Sequence, residues 1–287
     1  MRPTLLQIDT VGLVVRSAPA LLLAALLCAL AVGPLWAERL DGIPRRVTFR
    51  ILAVLALAAV TGGHLHFLVN QPSLAGVLAP WEGLHAGGAV LAILAAAPLL
   101  FAYHQVHAGR IADAMMPVTG LSICIARLGC FLHGCCFGMP CTGPWCLPFP
   151  PASAPAVFHA QQQLVPHGSW SLPVHPLQLY FGLTGIVITV LATWLLPRRR
   201  YPGQVALLGL LLFSLSAYWL EPFRQAVGSR PFIGSRPQLQ VVASWLVAIA
   251  ILGLVACEGG HRLRRGPGAR ARSGERRREA RPLRHRG

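Results

Sequence analysis

The chain has 287 residues, 54% apolar and 12% charged, with a mean hydropathy of +0.57. This balance excludes an ordinary water-soluble enzyme and points to a polytopic membrane protein. Its 25 basic residues are all arginine, against nine acids, for a formal charge of +16. Eleven of those arginines fall between Arg262 and Arg286, so the charge describes a terminal stretch and a few loops, and no nucleic-acid partner is expected.

Lipid leaves free backbone groups unsatisfied, so each crossing should read as roughly 17–25 mostly apolar residues in a helix. Seven runs are predicted as an all-α membrane fold: about Val11 to Val32, Thr48 to Leu68, Gly87 to Phe101, Ala112 to Phe131, Pro176 to Leu196, Val205 to Leu220 and Leu239 to Cys257. The fourth carries Asp113, Pro117 and Arg127, which suits a helix facing other helices rather than lipid. The first is too long and uniform for a cleaved signal peptide. With seven spans, nineteen arginines share a side with the C-terminal stretch and four (Arg2, Arg224, Arg230, Arg236) face the other, which predicts an outside N-terminus and a cytoplasmic C-terminus.

Two segments stand outside the spans. Residues 139–174 form a proline-rich external loop without Asp, Glu, Lys or Arg, with Trp145 and Trp170 as interfacial anchors; it reads as a lid over an acyl-chain entrance or as stiff filler. Residues 1–258 are then the membrane domain, and the Arg-, Gly- and Pro-rich residues 259–287 a disordered cytoplasmic tail near anionic headgroups.

Chemistry concentrates at Arg127-Leu-Gly-Cys-Phe-Leu-His-Gly-Cys-Cys-Phe-Gly138. An arginine in a span needs a partner or a polar cavity. If the helix continued, Gly134 and Gly138 would share its face and let a headgroup approach closely; helix packing by the glycines and outward snorkelling of Arg127 is the plainer reading. Glu221 and Arg224, three apart, are close enough to pair on a helix.

This stretch resembles the signature of the prolipoprotein diacylglyceryl transferases, G-R-x-G-N-F-x-N-G-E-x-x-G, and variants of that family with cysteines here are closer still. Three more stretches follow the family's order. Trp81-Glu-Gly-Leu-His-Ala-Gly-Gly88 is similar to G-G-L-x-x-H-G-G, His175-Pro-Leu-Gln-Leu-Tyr180 to H-P-x-Q-L-Y, and Leu220-Glu-Pro-Phe-Arg-Gln225 to E-F-x-R. The resemblance implies a multi-pass protein of the bacterial cytoplasmic membrane, active on its outward face. It implies transfer of a diacylglyceryl group from phosphatidylglycerol to the lipobox cysteine of a lipoprotein precursor, engaged through its signal peptide, with no cofactor and no metal.

Such a reaction needs a thiolate and cationic donors for the departing phosphate. Arg127 is the expected phosphate clamp, since a guanidinium holds two phosphate oxygens. His85, His133 and Glu221 complete the expected catalytic set, and Gly134, Gly138, His175, Gln178, Tyr180 and Arg224 the substrate-binding set. The sequence departs from the family pattern at Val11, Cys130, Cys135, Ala217 and Phe181, and its histidine motif around His85 is one residue shorter. A noncatalytic lipid-binding protein on the same scaffold is the alternative, and a cysteine-dependent redox or metal-handling protein a third.

Five of the eight cysteines (Cys130, Cys135, Cys136, Cys141, Cys146) crowd the stretch expected outside. A disulfide from Cys135 or Cys136 to Cys141 or Cys146 is the favoured reading. Zinc held with His133 is the rival, against which stands the lack of a C-x-x-C pair. Cys28 and Cys257 read as packing residues.

Overall fold

The structure, a computed structural model, describes residues 4–8, 13–70, 86–226, 232–233 and 236–265. A short antiparallel hairpin of β1 (Thr4–Ile8) and β2 (Leu13–Arg16) leads into α1 (Ser17–Asp41). Then come α2 (Arg45–Asn70), α3 (Ala86–Tyr103), α4 (Ala108–His133), the short α5 (Ala154–Gln161), α6 (Leu177–Leu195) and α7 (Gln204–Leu220). A second small hairpin, β3 (Phe232–Ile233) with β4 (Arg236–Pro237), precedes α8 (Gln238–Arg265).

Six described helices are long and apolar enough to cross a membrane: Pro19–Asp41, Arg45–Val69, Ala108–His133, Leu177–Arg198, Gln204–Phe223 and Gln238–Arg262. In the place of the third expected span, α3 carries a shorter apolar stretch, Gly88–Tyr103. The burial pattern is inverted relative to a water-soluble bundle. Leu57, Leu94 and Leu252 are 64%, 64% and 67% exposed, whereas Asp113, Gln178 and Glu221 are at most 3% exposed; apolar surface outside and paired polar groups inside is what a lipid solvent selects.

Two expected boundaries move. The first helix runs from Ser17 to Asp41 instead of Val11 to Val32, because β-branched Val14 and Val15 pair with the first strand and because Glu38 and Asp41 find arginine partners in Arg45 and Arg199. At the other end, α8 continues past residue 258 to Arg265, helped by Arg262 bonding Glu258 at 3.1 Å; the expected tail over 266–287 lies outside the described residues.

One end of the bundle is closed by a buried charge network. Asp113 accepts the Gly203 and Ala206 N–H groups at 2.7 and 2.9 Å and lies 3.4 Å from the Arg199 guanidinium, which also pairs with Asp41. This ties the end of α1, the start of α4 and the linker between α6 and α7 together. Toward the middle, α4 and α6 meet backbone to backbone: a Cβ added to Gly120 would come within 2.6 Å of the Gly185 carbonyl, and one on Gly185 within 2.5 Å of the Gly120 carbonyl.

The segment 139–174 is folded and not mere filler. Leu147 and Val174 exchange backbone hydrogen bonds at 3.0 and 3.1 Å, and Cys141 donates to the Pro173 carbonyl. Phe149 and Val174 are fully buried beside Phe131, Phe137 and Phe158. His159 is fully buried on α5, its Nδ1 accepting the Leu172 N–H at 3.2 Å.

Candidate functional site

The helix α4 stops at His133. Gly134, at φ 82°, donates its N–H to the Cys130 and Phe131 carbonyls, and the Cys135 N–H reaches Cys130 at 3.1 Å. This is a Schellman closure, which a glycine permits in the left-handed region. Gly134 and Gly138 therefore do not continue the helix face of Arg127, and that expectation is corrected. Gly138 instead sits where three segments are sewn together. Its N–H bonds His175 O at 3.0 Å, the next residue's N–H bonds Phe223 O at 2.8 Å, and Gln225 N–H bonds Phe137 O at 3.2 Å. A Cβ on Gly138 would lie 2.6 Å from His175 Cβ and 2.9 Å from Phe223 O.

That junction brings the end of α4, the start of α6 and the end of α7 to one place. The Arg127 guanidinium lies 4.7 Å from the centroid of the Phe181 ring, and Arg224 approaches the same ring at 5.9 Å. Phe181 is 2% exposed, so it supports both cations from below with a contact each of about 0.5–2 kcal/mol. Arg224 Nε donates to Glu221 Oε2 at 2.8 Å, the predicted ion pair. Arg127 makes no hydrogen bond or ion pair with any described residue. The planar guanidinium forks of Arg127 and Arg224 suit an anionic headgroup.

Around this pair, His175 Nδ1 lies 3.4 Å from the Tyr180 hydroxyl and its ring lies tilted against Phe223 with centroids 5.0 Å apart. Gln178, 1% exposed, donates from Nε2 to the Cys135 carbonyl at 2.6 Å and so pins the turn after α4; its buried Oε1 has no partner among the described residues. Not every expected residue joins. His133 follows Arg127 by six positions, about 240° around the helix, and lines a separate cleft of about 610 Å³ with Gly134, Pro150, Ser153, Phe158 and Gln161. His85 lies outside the described residues.

The cysteines divide differently from the expectation. Cys141 pairs with Cys146, across the small turn closed by the Cys146 N–H on the Gly143 carbonyl, so the expected link from the helix end into the loop is absent among the described residues. Cys130, Cys135 and Cys136 are free thiols, their sulfurs all within 4.8 Å of one another. Hydrogen bonds from Cys130 and Cys135 hold the Cys136 thiol well below the ordinary thiol range, aided by the charges of Arg127 and Arg224. The same contacts, with burial, push Cys135 up, so the first negative charge settles on Cys136. The role of Phe181 had no signal in the residue pattern, where it counted only as a replaced acid; Cys136 stood out there only as a disulfide or zinc candidate.

A family described as prolipoprotein diacylglyceryl transferase matches residues 3–256. A phosphatidylglycerol–prolipoprotein diacylglyceryl transferase of Thermosynechococcus vestitus is 27% identical over 206 residues, 69% of this chain and 71% of its own length. One from Prochlorococcus marinus is 22% identical over 245 residues, covering 74% and 77%. One from Mannheimia succiniciproducens is 30% identical over 163 residues, covering 55% and 52%.

Proposed function

The chain belongs to the prolipoprotein diacylglyceryl transferase family, and from that membership we propose that it transfers a diacylglyceryl group from phosphatidylglycerol to the lipobox cysteine of a lipoprotein precursor, at the site where Arg127 and Arg224 meet over Phe181. The observation that carries the reading is Arg127 itself. It is a cation in a membrane-spanning helix, its side chain without a carboxylate partner among the described residues and packed on the ring that Arg224 also approaches, which is costly unless an anion is bound there.

In this reading the substrate phosphate takes Arg127 and Arg224 as donors, and Glu221 fixes the Arg224 fork. Gly138 keeps the junction tight, while Gln178 and Gly134 hold the turn after α4. His175, with Tyr180, is the first candidate for proton carrier, its ring packed against Phe223, which adjoins Arg224 in the chain. His133, turned toward the other cleft, and His85 are second candidates for that role. The precursor's signal peptide supplies the thiol, and neither nucleic acid nor an organic cofactor is required.

The topology completes the proposal. The stretch Gly88–Tyr103 serves as a seventh span, since α3 packs along α2 with Gly88 against Gly62 and returns the chain to the end where α4 begins. The arginine asymmetry then places the N-terminus outside, residues 259–287 in the cytoplasm, and the reacting mouth on the outer face of a bacterial cytoplasmic membrane, with the folded 139–174 segment over it. Purified protein, phosphatidylglycerol and a lipobox peptide should give a thioether-linked peptide. No product above an Arg127→Ala control would reduce the molecule to a noncatalytic lipid binder on this scaffold.

A further inference from the structure

We propose that Cys130, Cys135 and Cys136 form a three-thiolate site for a zinc ion whose fourth position takes the cysteine thiolate of the incoming lipoprotein precursor; this deepens the transferase reading and rests on it. Three features of the chain build the site. The Schellman closure at Gly134 turns Cys135 back onto the last turn of α4, where Cys130 lies. Cys136 is held at φ 58°, a left-handed conformation that a cysteine seldom adopts, and this brings its sulfur to the other two. Gln178 fastens the turn from α6 through the Cys135 carbonyl.

The dimensions fit. Zinc–sulfur bonds of about 2.3 Å put tetrahedral ligand sulfurs roughly 3.8 Å apart, and these three lie within 4.8 Å, so closure needs movement of about an ångström within a flexible turn. Cys136 is exposed while Cys130 and Cys135 are partly buried, which leaves an open side. Three protein ligands with one open position is the arrangement of a catalytic zinc site.

Chemically, coordination strips the proton from the substrate thiol near neutral pH. The thiolate lone pair then forms the carbon–sulfur bond at the glyceryl carbon that bears the phosphate. The carbon–oxygen bond breaks, its electron pair leaves on the phosphate oxygen held by the arginines, and the displaced proton ends on the released glycerol phosphate. No oxidant or reductant is consumed.

The test uses the full chain in detergent with thiols kept reduced. Wild type should retain about one equivalent of Zn²⁺ after dialysis, as should Cys257→Ser, whereas Cys136→Ser should retain almost none. With Co²⁺ in place of zinc, the sulfur-to-cobalt absorption should grow when a lipobox peptide is added and stay unchanged with its Cys→Ser version. Transfer should fall about tenfold or more on metal removal and return with one equivalent of Zn²⁺. Equal zinc in wild type and Cys136→Ser, or a cobalt spectrum blind to the peptide, overturns the site. Full transfer by metal-free protein overturns it too and leaves the transferase reading standing. Zinc bound and peptide coordinated without any thioether product keeps the site and removes the transferase reading.

Discussion

Substituting Gly138 by alanine tests whether the three-segment junction sets the reacting geometry. The added Cβ would meet His175 Cβ at 2.6 Å, His175 O at 2.7 Å and Phe223 O at 2.9 Å. Two of these are backbone atoms engaged in the junction's own hydrogen bonds, so no flexible side chain can yield. Restoring ordinary contact at about 3.4 Å requires a retreat of roughly 0.8 Å from His175. Overpacking of this kind costs about 1–3 kcal/mol. The shift also moves Arg224, next to Phe223, relative to Arg127. Misplacing reacting groups by about 1 Å costs on the order of 100-fold in rate. Transfer to a lipobox peptide should therefore fall by about two orders of magnitude, and thermal unfolding in detergent should shift by an amount matching a few kcal/mol. Gly259→Ala, where an added Cβ meets nothing within 4 Å, is the control: transfer should be unchanged and unfolding unchanged or slightly raised, since alanine favours the helix α8. A Gly138→Ala protein with full activity and unaltered unfolding would refute the idea that this junction positions the arginines.

Other expectations concern separate parts of the molecule. Arg127→Ala should reduce transfer by about 100- to 1,000-fold, and Arg127→Lys should recover little of it, because an ammonium lacks the planar fork; steady-state transfer rates measure both. Asp113→Ala removes the acceptor of two N–H groups and one partner of Arg199 and should destabilise by about 3–5 kcal/mol in detergent unfolding. Activity per folded molecule should persist, since Asp113 lies some 21 Å along α4 from Arg127 at about 1.5 Å per residue. Burial lowers the His159 pKa below the usual value of 6.5, so the unfolded chain binds the proton first as pH falls. The stability of the 139–174 segment is then full above that value and declines below it. Protection factors there, corrected for the intrinsic pH dependence of amide exchange, should hold steady above the ordinary histidine value of 6.5 and fall as pH drops below it, and His159→Gln should flatten the dependence.

The apolar runs in the sequence located the helices well, because lipid imposes the same compositional demand on every crossing. They failed at the ends, where partners set the boundary. Glu38 and Asp41 extend α1, the first through Arg45 just across the turn and the second through Arg199, far along the chain. The approach of Arg127, Glu221 and Arg224 followed from motif order and from alternation of helix direction. The Phe181 ring that both arginines approach did not, since a hydrophobic residue in a hydrophobic run carries no label. Nor did the thiol cluster: it depends on Gly134 ending the helix, and the glycine pattern also allowed the helix to continue. His133 went astray for the same reason, as its direction follows from helical phase and not from its place in a motif.

The Gly120–Gly185 contact has a mechanical consequence. With carbonyl oxygens filling the space a methyl group would need, and Thr189 reaching across to the Pro117 carbonyl at 3.2 Å, α4 and α6 have no compressible layer between them and cannot slide past one another. The two helices that carry Arg127 and Phe181 thus behave as a single beam. Any gate that admits lipid tails must swing from the flanking helices, while the beam keeps its cation and its aromatic plate in register through each turnover.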